Sequence, residues 1–173
     1  MSEPVQALVV VDMQCGLLAG PQAVVGAAAL TERVETLIGR ATAAGALVVQ
    51  LQNDGSPGQV DEPGAPGWKL ALAGGTVVRK STDDGFADSP LGALLAQHGV
   101  RRLAVCGVLS EMCVSATTRS ALACGLGVVL PRDGHGTYDL DDIPAATVAL
   151  VAEHALGDQP ELVASTTDVV FGH

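Results

Sequence analysis

Aromatic residues are scarce in this chain: Trp68, Tyr138, Phe86 and Phe171 make up 2% of its 173 residues. No aromatic cluster can anchor a core, so Val, Leu, Ile and Ala must fill it. Basic residues are also few, with 9 Lys and Arg against 19 Asp and Glu and a formal net charge of −10. That balance excludes a nucleic-acid groove, which needs a basic stripe, and it leaves no polybasic segment for an anionic membrane. The acidity reads first as solubility. The apolar runs are too short to span a bilayer. The opening residues, M-S-E-P-V-Q, carry an acid and no basic n-region, so a cytoplasmic location is expected. Cys15, Cys106, Cys113 and Cys124 show no C-x-x-C spacing, and in a reducing compartment they should be free thiols. Cys106 and Cys124 read as small buried hydrophobes, whereas Cys15, close after Asp12, reads either as packing or as a border of a pocket.

Hydrophobic residues make up 48% of the chain, enough for a sizeable core, and the length fits a single domain over residues 1–173. Apolar, β-branched runs alternate with helical patterns. Strands are expected at 5–11, 46–51, 76–79, 101–106, 127–130 and 161–164. Helices are expected at 22–44, 90–98, 112–124 and 143–156, with Ser89, Ser110 and Asp142 as N-caps. Residues 53–75 are rich in Gly, Pro and Asp and read as a long loop, of a length that usually serves function. Near-continuous apolar strands separated by helices indicate an α/β fold. The expected architecture is an open, six-stranded, mostly parallel sheet with helices on both faces. Such sheets bind ligands beyond the carboxyl ends of their strands.

The residues that follow the strands carry the chemistry. Asp12 follows the first strand, Asn53 and Asp54 the second, and Lys80 the third. Ser110, Glu111 and Cys113 follow the fourth, and Asp133 and His135 the fifth. Lysine is otherwise found only at Lys69, so Lys80 directly after an apolar strand is a candidate site residue. With Ser110 as N-cap, Cys113 falls in the first turn of a helix. There the dipole, with Lys80 nearby, would favour a thiolate. Asp12 can accept the thiol proton and return it to a leaving amine. Backbone N–H groups in the turn from Leu109 to Cys113 can bind an oxyanion. The implied reaction is attack on an amide carbonyl, release of an amine, then hydrolysis of a thioester.

Three segments resemble motifs of the isochorismatase-like cysteine hydrolases, in order and at matching spacing: A-L-V-V-V-D-M-Q around Asp12, R-K-S-T-D-D-G-F around Lys80, and G-V-L-S-E-M-C-V-S-A-T-T-R-S-A around Cys113. The resemblance covers essentially the whole chain. It implies a triad of Asp12, Lys80 and Cys113, and an oxyanion hole from the N–H groups of Leu109 and Cys113. It also implies a cis peptide between Val108 and Leu109 and assembly into homodimers or higher oligomers. The segments D-G-H-G-T-Y-D, I-P-A and A-E-H-A-L-G-D resemble streptothricin-hydrolase-type members of that family, which open a cyclic amide.

The departures are also informative. Ser110 replaces the usual Thr, Glu111 takes the acidic position, and Gly85 stands where Ala is usual, which would loosen the turn after Lys80. Q-N-D-G-S-P-G after the second strand lacks the histidines that hold a metal in nicotinamidases of the family, so no metal or cofactor is expected. Gln14, Asn53, Trp68, Phe86 and His135 are candidate substrate contacts for a small amide. Asn53 reads equally as an Asx-turn former, Trp68 as a loop anchor, and His135 as a loop hydrogen-bonder. Two other readings stand beside the hydrolase. One is a binding or assembly protein with a relict site. The other takes C-x5-R, from Cys113 to Arg119, as a cysteine phosphatase loop. That loop, V-S-A-T-T, lacks the glycine that close backbone approach to phosphate favours, and it leaves Asp12 and Lys80 unexplained.

Overall fold

The computed structural model describes residues 3–172. The elements in chain order are β1 (Ala7–Val11), α1 (Cys15–Leu18), α2 (Ala27–Ala43), β2 (Leu47–Asn53), β3 (Thr76–Lys80), α3 (Leu91–Gln97), β4 (Arg102–Val108), α4 (Ser115–Ala123), β5 (Gly127–Pro131), β6 (His135–Gly136), α5 (Ala145–Ala155) and β7 (Glu161–Val163), with short 3-10 turns between some of them. The strands form one sheet in the order β3-β2-β1-β4-β5-β7, and the two-residue β6 pairs with β4 off that path. Every pairing is parallel. The expected six strands are therefore present, with β6 as an addition too short for a sequence pattern to show.

Alternation along the strands splits the core in two. Leu8, Val10, Ala104, Cys106 and Val108 face one side, where Leu30, Val34, Leu37, Ile38 and Ala41 of α2 cover them. Ala7, Val9, Val11, Leu103 and Val105 face the other, against Leu91 and Leu95 of α3 and Val114 and Ala121 beside or in α4. The central strand β1 is buried throughout, because it has neighbours on both edges and helices on both faces. The edge strand β3 instead alternates, with Val78 and Lys80 buried and Thr76, Val77 and Arg79 exposed. Continuous apolarity thus marks the inner strands, not the outer ones.

Several element ends differ from the sequence reading for local reasons. The long second helix begins at Ala27, because Gly26 adopts a left-handed φ of 70° and the chain before it turns through a 3-10 segment. Pro90, not Ser89, holds the cap position of α3, which begins at Leu91; Ser89 stands one residue before it, its hydroxyl accepting from the Leu91 N–H at 3.2 Å. Asp142 does not cap α5. Asp139 does, its carboxylate accepting from the Ala145 N–H at 2.7 Å, since Leu140 and Ile143 pair with each other and hold the intervening residues out. No helix among the described residues is long and apolar enough to cross a membrane.

The sheet topology also fixes where a site can form. From β1 the chain winds outward through β2 to β3, then returns to place β4 on the other side of β1. Adjacent strands whose crossovers run to opposite sides leave a crevice at their carboxyl ends. Here that crevice lies between Val11 and Gly107, which are register partners. Asp12 leaves one strand just past it, and the segment carrying Cys113 leaves the other.

Candidate active site

Asp12 follows β1 with a φ of 49°, a left-handed conformation that Asp tolerates better than most residues. Its side chain is almost fully buried. Lys80 ends β3, where it is the register partner of Asn53. Lys80 Nζ donates to Asp12 Oδ2 at 2.8 Å, to Asn53 Oδ1 at 3.3 Å and to the Thr82 carbonyl at 3.1 Å. It also lies 3.5 Å from Cys113 Sγ. The structure therefore brings Asp12, Lys80 and Cys113 together from the ends of three strands that are far apart in sequence.

The Val108–Leu109 peptide is cis, where the sequence reading placed it. The chain then enters a single π turn over Ser110–Val114 before α4 begins at Ser115. Cys113 therefore sits in a widened turn, not in the regular first turn of an α-helix. Ser110 is not the cap: its hydroxyl bonds His135 Nδ1 at 2.8 Å, and Leu109 occupies the cap position. The turn is held instead by the Leu109 carbonyl, which accepts from both Met112 and Val114, and by Ser115 Oγ donating to the Ser110 carbonyl at 2.7 Å. Among the described residues, no protein acceptor takes the Leu109 N–H, which leaves it available to a ligand oxygen.

The electrostatics differ from the expected thiolate. Burial, and then the Asp12 carboxylate, push the Cys113 thiol well above its ordinary value, and the nearby Lys80 ammonium only partly offsets them. Burial likewise raises the Asp12 carboxyl, with Lys80 pulling the other way. Lys80 is penalised by burial, but its interactions with the Asp12 carboxylate and with Cys113 more than compensate, so its ammonium is held on. The site thus sets a thiol raised by burial beside the buried Asp12–Lys80 pair. Asp12 Oδ2 is committed to Lys80, whereas Oδ1 is buried and has no hydrogen-bond partner. That orphan oxygen is a vacant acceptor beside a thiol that must lose its proton to react.

A cleft of about 420 Å3 opens on this group. Asp12 and Cys113 form its floor, Leu17, Val108, Leu109 and Met112 one wall, and Asn53, Gly55, Ser56, Gln59, Asp61 and Asp83 the rest. Of the five candidate substrate contacts, only Asn53 lines it. Even there the side chain is engaged at both ends, with Oδ1 accepting from Lys80 and Nδ2 donating to Asp61 Oδ2 at 2.6 Å.

The other four are placed elsewhere. Gln14 is fully buried and clamps the loop: Nε2 donates to the carbonyls of Asn53 and Trp68, and Oε1 accepts from the Asn53 N–H. Trp68 anchors the same loop, its indole N–H donating to Asp54 at 3.0 Å and its ring lying under the Arg79 guanidinium. Phe86 packs on the core beneath α3. His135 is buried between Ser110 and Glu153 and borders a separate cleft near α5. Cys15 and Asp133 also lie off the active cleft, Asp133 holding the Ser165–Thr166 segment. Arg119 is exposed on α4 and makes no bond to the thiol.

Sequence reasoning missed Asp61 and Asp83. Asp83 Oδ1 lies 3.6 Å from Cys113 Sγ. An acid three residues after Lys80 was the available signal for Asp83. Asp61, inside an irregular loop, offered none. Gly85 does not loosen the turn after Lys80. Its N–H donates to Thr117 Oγ1 at 3.0 Å, and a Cβ there would come within 2.4 Å of Leu51 Cδ1, so glycine permits a close approach. The residues after β2 do not suit a metal: they include no histidine, and both Asp54 oxygens are taken by Trp68 and Arg79.

The model of the isochorismatase domain matches residues 6–158. The chain belongs to the isochorismatase family. Among curated relatives, a streptothricin hydrolase of Streptomyces noursei is 53% identical over 180 residues, covering 97% of this chain and 71% of that protein. A second streptothricin hydrolase of Streptomyces noursei is 54% identical over 179 residues, covering 96% of this chain and 65% of its own length. Among solved structures, an isochorismatase from Pseudomonas putida KT2440 superposes with a TM-score of 0.87 at 27% identity, covering 98% of this chain and 94% of that one. A cysteine hydrolase from Pseudomonas syringae, at 22% identity and a TM-score of 0.84, shares the fold over 98% of this chain and 96% of its own.

Proposed function

We propose that this isochorismatase-family hydrolase uses Cys113 to open a carbon–nitrogen amide bond through a thioester. The observation that carries the reading is the buried Asp12–Lys80 pair set against the Cys113 thiol on the floor of a cleft. Sγ attacks the amide carbonyl carbon as its proton passes to Asp12 Oδ1. The carbonyl oxygen becomes an oxyanion, met by the Leu109 and Cys113 N–H groups, a contribution of roughly 3–4 kcal/mol in comparable sites. As the C–N bond breaks, Asp12 returns the proton to the departing nitrogen. Water then attacks the thioester, Asp12 takes its proton, and the thiol is regenerated by its return. Lys80 keeps Asp12 ionised and oriented and favours the transient thiolate. A thiol raised by burial fits this cycle, because the proton transfer accompanies attack.

The relatives make a cyclic amide of the streptothricin type the first substrate to try. We further propose that the chain works in the cytoplasm, where a reducing medium keeps Cys113 free, and that it assembles as a homodimer or higher oligomer. Incubation with streptothricin should give a product heavier by one water, and Cys113→Ser should abolish it while circular dichroism stays unchanged. A Cys113→Ser protein with substantial turnover would remove the nucleophile. Ligand binding with no turnover by the wild-type chain, across a panel of amides, would favour a relict binding site instead.

A further inference from the structure

Lys80 ends β3, the edge strand of the sheet, which pairs with β2 alone among the described residues. Such a strand lacks the second neighbour that restrains an inner one, and the turn after it is exposed at Ser81, Thr82 and Asp83. Yet Lys80 Nζ donates to the Thr82 carbonyl at 3.1 Å, so the placement of its ammonium depends on that turn. The turn is held from α4, the helix that starts two residues after Cys113. Thr117 and Ser120, three residues apart, share one face of α4. The buried Thr117 Oγ1 accepts from the Gly85 N–H at 3.0 Å, and Ser120 Oγ donates to Asp84 Oδ2 at 2.6 Å. Asp84 passes the hold along the turn, its Oδ1 accepting from the Phe86 N–H at 2.9 Å and its carbonyl from Thr82 Oγ1 at 3.2 Å. Among the described residues, and leaving aside the contacts with Lys80 and Cys113, the hydrogen bonds that tie residues 82–88 to another element both end on α4.

We propose that Thr117 and Ser120 are positioning residues: by tying the 82–86 turn to α4, they set the Lys80 ammonium against the Cys113 thiol. Through the sheet, the strands that carry these two groups are joined only by way of β2 and β1. The two bonds from α4 join their segments directly, which suits a separation of 3.5 Å between Nζ and Sγ. The turn can seat this closely because Gly85 has no Cβ, which would fall 3.0 Å from Thr117 Oγ1 and 2.4 Å from Leu51 Cδ1. The inference rests on the hydrolase reading for its bearing on turnover, whereas the action of Lys80 on the thiol is measurable without a substrate.

The test times the alkylation of Cys113 by iodoacetamide, read by mass spectrometry, in wild type, Ser120→Ala, Lys80→Met and the double variant. The Lys80 ammonium favours the thiolate, so a slackened turn should slow the reaction only where Lys80 is present. A change in access to the thiol, or in the distance of Asp83, acts in both backgrounds and cancels. Ser120→Ala should therefore slow alkylation about threefold or more in wild type relative to its effect beside Lys80→Met. Equal effects in the two backgrounds overturn the proposal. Should Lys80→Met not fold, a crystal structure of Ser120→Ala decides: the Nζ–Sγ separation should lengthen by about 0.5 Å or more, and an unchanged separation overturns the proposal. Turnover is read separately, on streptothricin. Thr117→Val and Ser120→Ala should each lower kcat about tenfold with KM nearly unchanged, and Thr117→Ser should keep the wild-type rate because the hydroxyl is restored. A raised KM with kcat intact would mean that the turn contacts substrate instead, and would also overturn it. A Lys80-dependent change in alkylation without hydrolysis of any amide removes the hydrolase reading alone, whereas hydrolysis without that dependence removes this inference alone.

Discussion

Two buried ionic groups lie on either side of the π turn, and they are built to opposite ends. On one side, Asp12 and Lys80 meet Cys113 at the floor of a cleft, and one carboxylate oxygen is left without a partner. On the other, Ser110 bonds His135, His135 faces Glu153 at 3.4 Å, and Glu153 pairs with Arg132. The first group has an open acceptor and a nucleophile within reach. The second runs from the turn to a surface arginine; its one unpartnered atom, His135 Nε2, lies near Glu153, and His135 does not line the cleft. In the proposed mechanism a turn that presents an N–H to a ligand must be held still; the second group would do that holding while the first would do the chemistry.

The largest effects should come from breaking the first group. Asp12→Asn removes the proton acceptor and should lower kcat by about 10³-fold or more. It also strands the buried Lys80 ammonium, so thermal unfolding should show a loss of about 3–5 kcal/mol, whereas Asp12→Asn with Lys80→Met should recover much of that stability and none of the activity. If the single variant keeps near-normal turnover, another base serves Cys113, with Asp83 the first candidate. Breaking the second group should do less. Ser110→Ala or His135→Gln should lower kcat about tenfold with KM nearly unchanged, and Ser110→Thr should retain activity because the hydroxyl is restored. A fall in KM-linked binding with kcat intact would mean that His135 touches substrate after all.

The pH response sharpens the same contrast. Asp12 must be ionised to take the thiol proton, and burial raises its pKa, so the acid limb of kcat should lie above the range of an ordinary carboxylate, about pH 4. Activity is full above the raised pKa and is lost as pH falls through it. Cys113 titrates above its usual range, so its alkylation by iodoacetamide should still be rising at about pH 9, where an unperturbed thiol is levelling off. Fast alkylation at acidic pH would instead mean a resting thiolate. The smallest expected effect is that of a chelator, which should leave turnover unchanged; loss of rate that zinc restores would require donors not identified after β2.

The residues proposed to react were legible as a group in the sequence because they sit at or after strand ends. An apolar run that stops at a polar residue marks both the strand and its rim, and parallel topology sends those rims to one place. Asp12, Lys80 and Cys113 could therefore be named without a structure. The substrate contacts could not. Gln14 looks like a polar residue beside Asp12, and nothing in its spacing shows that its amide is consumed by carbonyls more than thirty residues ahead. Trp68 and Asp61 lie in the same loop, one turned outward to Arg79 and the other inward to Asn53, and no periodicity distinguishes them. The turn carrying Cys113 was misread, a capped α-helix being expected where a π turn forms, and the burial beside Asp12 that raises the thiol leaves no mark in the spacing.

The loop between β2 and β3 is moored by uncharged amides in and beside the sheet. Gln14 and Gln52 both grip the Trp68 carbonyl, and Gln50 grips those of Leu72 and Gly74. Gln50 and Gln52 belong to β2 and Gln14 to the turn after β1, while the stretch they carry supplies Gly55, Ser56, Gln59 and Asp61 to the cleft wall. Such a loop is interchangeable in principle, a cassette seated in fixed sockets. Exchange of that cassette between relatives that keep the glutamines would retarget the enzyme while leaving its reacting atoms in place.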